Sequence, residues 1–167
     1  RNDVSDDIKT LALLIMVMKK VNIDIVIIKN KKEFKINPNK IIICGFSAGG
    51  HVCGTLATHW QDDIDEGKYA DVSNRPDGVI LSYPVITSGE YTHIYSIWAL
   101  IGQNAQQEEM DYFSLEKNVS DKTPPCFVWQ TKEDDLVPIE NSYLFAESLQ
   151  KLETVYAGSF DTVWGAH

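Results

Sequence analysis

The sequence predicts an α/β fold: a mostly parallel sheet with helices on both faces. Three observations predict it. Short β-branched apolar runs at 40–44, 78–83 and 126–130 read as strands buried on both sides. Helix-compatible stretches alternate with them, as in a sheet covered by helices. The first run stops at Gly45-Phe46-Ser47-Ala48-Gly49, a Gly-x-Ser-x-Gly turn that leads into helix-compatible sequence.

The elements follow in order. Residues 6–20 read as a helix, with Asp6 and Asp7 in its first turn and Lys19 and Lys20 in its last. Residues 21–35 fit strand by their Ile/Val content, or helix by their length and basic tail. Asn37-Pro38-Asn39 is a turn before the strand at 40–44. Residues 51–60 continue as helix after the serine turn, and 61–76 are polar and loop-like. The strand at 78–83 ends at Pro84. Loops and short helices over one face of the sheet are expected at 87–111, and irregular chain at 112–122. Thr123-Pro124-Pro125 announces the strand at 126–130. Residues 140–152 form an amphipathic helix with Tyr143, Leu144, Ala146, Leu149 and Leu152 toward the core, and 154–160 read as a last strand.

A chain of 167 residues suffices for one domain with a real core. Residues 1–167 are read as a single domain whose two ends both look cut: there is no initiator Met or leader pattern, and the chain stops at a candidate catalytic residue. The net charge of −9 argues against nucleic acid or an anionic membrane as partner. No apolar run is long enough for a membrane span. Compartment is left open with the cytoplasm favoured, and oligomeric state is left open. The three cysteines, Cys44, Cys53 and Cys126, have neither disulfide-framework nor zinc spacing; Cys44 and Cys53 read as buried small hydrophobes.

A strand that breaks at Gly-x-Ser-x-Gly can hold Ser47 on a strained turn at the end of a sheet, with Gly45 and Gly49 sparing the Cβ atoms that would clash there. A serine hydroxyl is a weak nucleophile and needs a base, itself oriented by a third group. Such groups gather beyond the carboxyl ends of parallel strands. The strand at 126–130 runs into Glu133-Asp134-Asp135; Asp134 is the first choice for the acid, then Asp135, then Glu133. His167 is the only histidine after them and is the candidate base, which gives the chain order Ser, Asp, His. The Ala48 N–H, opening the helix, is a candidate oxyanion donor; nothing in residues 1–40 resembles the His-Gly-Gly loop that supplies a second. His51 lies one turn beyond Ser47 and reads as packing, with substrate contact as the sharper alternative. His93 stands on a loop that could overhang the site and touch substrate, or be a surface residue. No histidine group has metal-ligand spacing, and the chemistry calls for no cofactor.

The stretch from Ile36-Asn37-Pro38 through Cys44-Gly45-Phe46-Ser47-Ala48-Gly49-Gly50-His51 resembles the esterase/lipase branch of the α/β-hydrolases. Arg75-Pro76-Asp77-Gly78, Tyr83-Pro84, Pro124-Pro125-Cys126, Trp129-Gln130-Thr131, Asp134 with Val137-Pro138, and Glu140-Asn141-Ser142 narrow the likeness. Together they resemble acetylxylan esterases and feruloyl-esterase-like carbohydrate esterases, over roughly residues 36–152. The resemblance implies an α/β-hydrolase fold lacking its N-terminal strands. It also implies Ser47 as nucleophile, Asp134 as acid and His167 as base. The expected reaction is hydrolysis of small acyl esters, acetyl first, on a sugar or xylo-oligosaccharide. The alternatives are a peptidase of the same fold, since ester and amide share acyl-transfer chemistry, and a non-catalytic α/β-hydrolase-like binding protein.

Overall fold

In a computed structural model of the chain, residues 30–35, 37, 39–62 and 73–161 are described. The helix expected at 6–20 lies outside them, as do most of 21–35 and His167. Of the ambiguous 21–35 stretch, Lys31–Phe34 forms a single helical turn, α1. Asn37 closes the expected turn: its carbonyl accepts from the Lys40 N–H at 3.2 Å, and its side chain accepts from the Asn39 N–H at 3.0 Å.

Four strands follow, β1 (Ile42–Phe46), β2 (Gly78–Ser82), β3 (Cys126–Thr131) and β4 (Tyr156–Asp161). They pair in that order into one sheet, and every pair is parallel. Between them lie α2 (Ala48–His59), α3 (Ile94–Ile101), α4 (Gln107–Tyr112), a 3₁₀ turn at Leu115–Lys117 and α5 (Glu140–Lys151). The register aligns the strands' carboxyl ends, with Phe46 beside Ser82 and Ser82 beside Trp129. Turns leaving β1, β2 and β3 therefore emerge along one rim.

One face of the sheet carries the core. Val79 and Leu81 of β2 and Cys126 and Val128 of β3 pack against Cys53 and Ala57 of α2, Leu115 of the 3₁₀ turn, and Phe145 and Leu149 of α5. Strand side chains alternate, so Ile42, Cys44 and Phe46 point the other way. Among the described residues that second face is open: Phe46 is 55% and Phe127 41% exposed. Cys44 is exposed as well, and the expectation that it is a buried hydrophobe is corrected. An unbroken Ile-Ile-Ile-Cys run reads as buried on both sides, yet α2 and α5 share one side. Cys53 is buried as expected.

The buried face of α5 also differs from the hydrophobic reading. Asn141, Ser142, Phe145, Ala146 and Leu149 point inward. Tyr143 and Leu152, expected in the core, are exposed. Two polar residues hold the inward positions of the first turn because they have hydrogen-bond work there, described below.

Candidate active site

Ser47 links β1 to α2 with φ +51° and ψ −124°, a conformation that L-residues with a side chain adopt at a cost. The surroundings fix it. The Ser47 N–H donates to the Ser82 carbonyl at 3.0 Å, and its own carbonyl accepts from the N–H groups of Gly50, His51 and Val85 at 3.0, 3.3 and 3.1 Å. The side chain makes no cap hydrogen bond to α2, so the hydroxyl is not spent on the helix. The Ala48 N–H belongs to the first turn of α2, where N–H groups have no intrahelical acceptor and the helix dipole favours negative charge.

Close approach explains the glycines. A Cβ on Gly45 would stand 2.2 Å from the Gly49 carbonyl oxygen, and one on Gly50 2.7 Å from Pro84 Cβ. Gly49, expected to be equally constrained, would place a Cβ with nothing within 4 Å. The tight contact after the serine is made one residue later, where α2 passes the turn that leaves β2.

The carboxylates after β3 separate by environment. Glu133 and Asp135 are exposed, and Asp134 is half-buried. Asp134 Oδ1 accepts from the N–H groups of Leu136 and Val137, each at 3.0 Å, and Oδ2 faces Gln130 Nε2 at 3.5 Å. Three donors from its own loop and strand thus hold one carboxylate at the rim where Ser47 emerges.

The histidines divide. His51 is 2% exposed and its Nδ1 lies 3.0 Å from the Val85 carbonyl, which can only accept, so the ring carries its proton there. Val85 in turn donates to Ser47, so His51 is tied to the elbow through it. His93 caps the start of α3, with Nδ1 2.8 Å from Ser96 Oγ. Burial lowers its pKa, and the charge of Asp134 pulls it partly back up. Its loop therefore stands within electrostatic reach of Asp134. Ile97 of α3 packs with Val85 and Val137, joining the turn that leaves β2 to the turn that leaves β3.

Three buried polar residues had no role in the sequence reading. Asn141 Oδ1 accepts from the N–H groups of Ile86 and Thr87 at 2.8 and 3.1 Å, and its Nδ2 donates to the carbonyls of Tyr91 and Pro138 at 2.7 and 3.0 Å. Gln130 and Ser142 form a second such link, at 2.6 Å. A glutamine at the end of an apolar strand was the available signal. Among the described residues, no group of three or more His, Cys, Asp or Glu side chains could hold a metal, and no helix is long and apolar enough to cross a membrane.

A parallel sheet with a strained serine between strand and helix, and a tethered carboxylate at the same rim, defines an α/β-hydrolase. Within that class the chain belongs to the BD-FAE family, whose model matches residues 19–149. It is 58% identical over 130 residues to endo-1,4-beta-xylanase B of Butyrivibrio fibrisolvens, covering 77% of this chain and 20% of that protein. It is 32% identical over 112 residues to an acetylxylan esterase of Xylanibacter ruminicola, covering 65% and 21%. Among solved structures it is similar to an acetyl ester-xyloside bifunctional hydrolase from Caldicellulosiruptor lactoaceticus, with TM-score 0.80 and 37% identity over 89% of this chain and 55% of that one. The carboxylesterase Cest-2923 of Lactobacillus plantarum shares the fold, with TM-score 0.70 and 23% identity over 87% and 53%. The chain thus spans about a fifth of the curated relatives it matches and about half of the solved ones.

Proposed function

We propose that this chain carries the catalytic core of a serine-dependent carboxylic ester hydrolase that removes acetyl or other small acyl groups from xylan-type carbohydrate esters. The observation that carries the reading is the Ser47 elbow, a costly backbone conformation held by four backbone hydrogen bonds at the mouth of a helix. In this reading Ser47 Oγ bonds to the ester carbonyl carbon while His167 takes the hydroxyl proton. Asp134 orients the imidazole and stabilises its cation, and the Ala48 N–H faces the developing oxyanion. The bond to the sugar oxygen then breaks, and that oxygen leaves with the proton from His167. Water, deprotonated by the same imidazole, releases the acid and restores the serine.

Chain reach supports His167 as base. β4 ends at Asp161 beside β3 and runs parallel to it, so the chain leaves β4 at the rim of Asp134. Six further residues reach at most about 20 Å, and three strand spacings from β4 to β1 amount to about 14 Å. His93 beside the acid is proposed to meet the bound substrate. The acyl and sugar assignments follow from the relatives named acetylxylan esterase and acetyl ester-xyloside hydrolase. The xylanase name is not carried over: glycoside cleavage ordinarily needs two carboxylates flanking the bond, whereas a strained serine suits acyl transfer.

Ser47→Ala in the intact protein is expected to lower acetyl-ester turnover by about 10⁴-fold or more, and to abolish labelling by a fluorophosphonate probe. Retained turnover removes Ser47 from the mechanism. Rates on a peptide amide, measured alongside, separate an esterase from a peptidase of the same fold.

A further inference from the structure

We propose that Gln130 is a positioning residue for the acid of the relay, and that Ser142 sets which end of its amide faces Asp134. The proposal rests on the ester-hydrolase reading above and assigns a role to residues outside the Ser-Asp-His trio.

Gln130 lies at the carboxyl end of β3, on the face of the strand that carries Cys126 and Val128 into the core, and is 0% exposed. An amide buried there costs stability unless its donors and acceptor are all matched. The Val137 carbonyl, 2.6 Å from Nε2, can only accept, so the NH₂ end must face the acid turn. The carbonyl end must then face α5, where the buried Ser142 hydroxyl donates to Oε1 at 2.6 Å. With both ends committed, the second N–H of Nε2 is aimed at Asp134 Oδ2, 3.5 Å away. Oδ1 of the same carboxylate is already held by two backbone N–H groups of the turn.

The consequence is specific to the acid. A neutral donor on Oδ2 orients the carboxylate without bringing a countercharge to it. The distance is at the long end of a hydrogen bond, as is common for catalytic contacts without substrate. Gln130 touches neither substrate nor the reacting atoms in this scheme; it acts through Asp134.

The test uses Gln130→Glu, Gln130→Met and Ser142→Ala in the intact protein. Turnover of p-nitrophenyl acetate is measured from pH 5 to 9 and expressed per site titrated by a fluorophosphonate, so misfolded protein is not counted. Gln130→Glu sets a second carboxyl against Asp134, and like charges at that spacing retain a proton; the acid limb of kcat/KM is expected to move up by about one pH unit or more. Gln130→Met and Ser142→Ala are expected to lower kcat per site about 10- to 100-fold, the usual scale for an orienting partner, with KM changed less than about twofold. An acid limb unmoved in Gln130→Glu overturns the proposal, as does unchanged kcat per site in Ser142→Ala. If Gln130→Met does not fold, the other two variants decide. An unsubstituted protein that neither labels nor turns over acetate esters removes the underlying reading, and the Gln130 role with it.

Discussion

Gly45→Ala and Gly49→Ala make a paired test of the serine turn. Both add one methyl group within the same Gly-x-Ser-x-Gly sequence. At Gly45 the new carbon would lie 2.2 Å from the Gly49 carbonyl oxygen, 2.6 Å from its carbon and 2.8 Å from Cys53 Sγ. Ordinary contact begins near 3.4 Å, so β1 and α2 must part by more than 1 Å, and the nearest obstacle is backbone that cannot swing away. Overpacking of this kind costs about 3 kcal/mol, which for a domain of this size lowers Tm by roughly 6–12 °C. At Gly49 the methyl meets nothing within 4 Å and replaces a helical glycine; a gain of about 0.5–1 kcal/mol, or roughly 1–4 °C, is expected. Thermal unfolding followed by circular dichroism reads both. Gly45→Ala melting within about 1 °C of the parent, or no lower than Gly49→Ala, refutes the packing argument.

Two more outcomes follow from buried titratable groups. Cys126 is buried, its thiol pKa pushed up to about 12, and Cys53 is also buried, whereas Cys44 is exposed; a thiol reagent at pH 8 is expected to modify one cysteine in the folded protein and three in denaturant. Two or more reacting quickly in the folded state contradicts the burial of Cys53 on α2 or of Cys126 on β3. Burial raises the pKa of Glu116, although the Thr87 hydroxyl donating to Oε1 at 2.8 Å opposes the rise. The folded state therefore binds the proton more tightly than the unfolded one. That contribution is full below the unfolded value of 4.5 and is lost as pH rises through the folded value. Glu116→Gln is accordingly expected to raise Tm at pH 7–8 and to leave it nearly unchanged near pH 4; equal shifts at both pH values sink this assignment.

Strands between clear punctuation were readable. Pro84 and Pro125 bound β2 and β3, and their limits were read to within one residue. β1 was read two residues early because Phe46 prolongs the run up to the elbow. The Ser47 turn was legible because a helix that passes so close to the strand before it and to the next turn leaves no room for a Cβ at Gly45 or Gly50. Asp134 could be preferred over Glu133 and Asp135 but not distinguished by pattern, since the difference is two backbone N–H groups folded back onto one carboxylate. Hydrophobic periodicity put Tyr143 and Leu152 inside α5 and missed Asn141 and Ser142. Polar residues buried for their hydrogen bonds look like surface in a pattern built on apolarity. Gln130 escaped for the same reason.

Asn141 and Ser142 sit side by side on the first turn of α5. One ties down the segment after β2, and the other, by way of Gln130, the segment after β3. Two walls of the rim thus share a single hinge pin. Both walls are therefore anchored to one helix turn instead of separately, loop by loop.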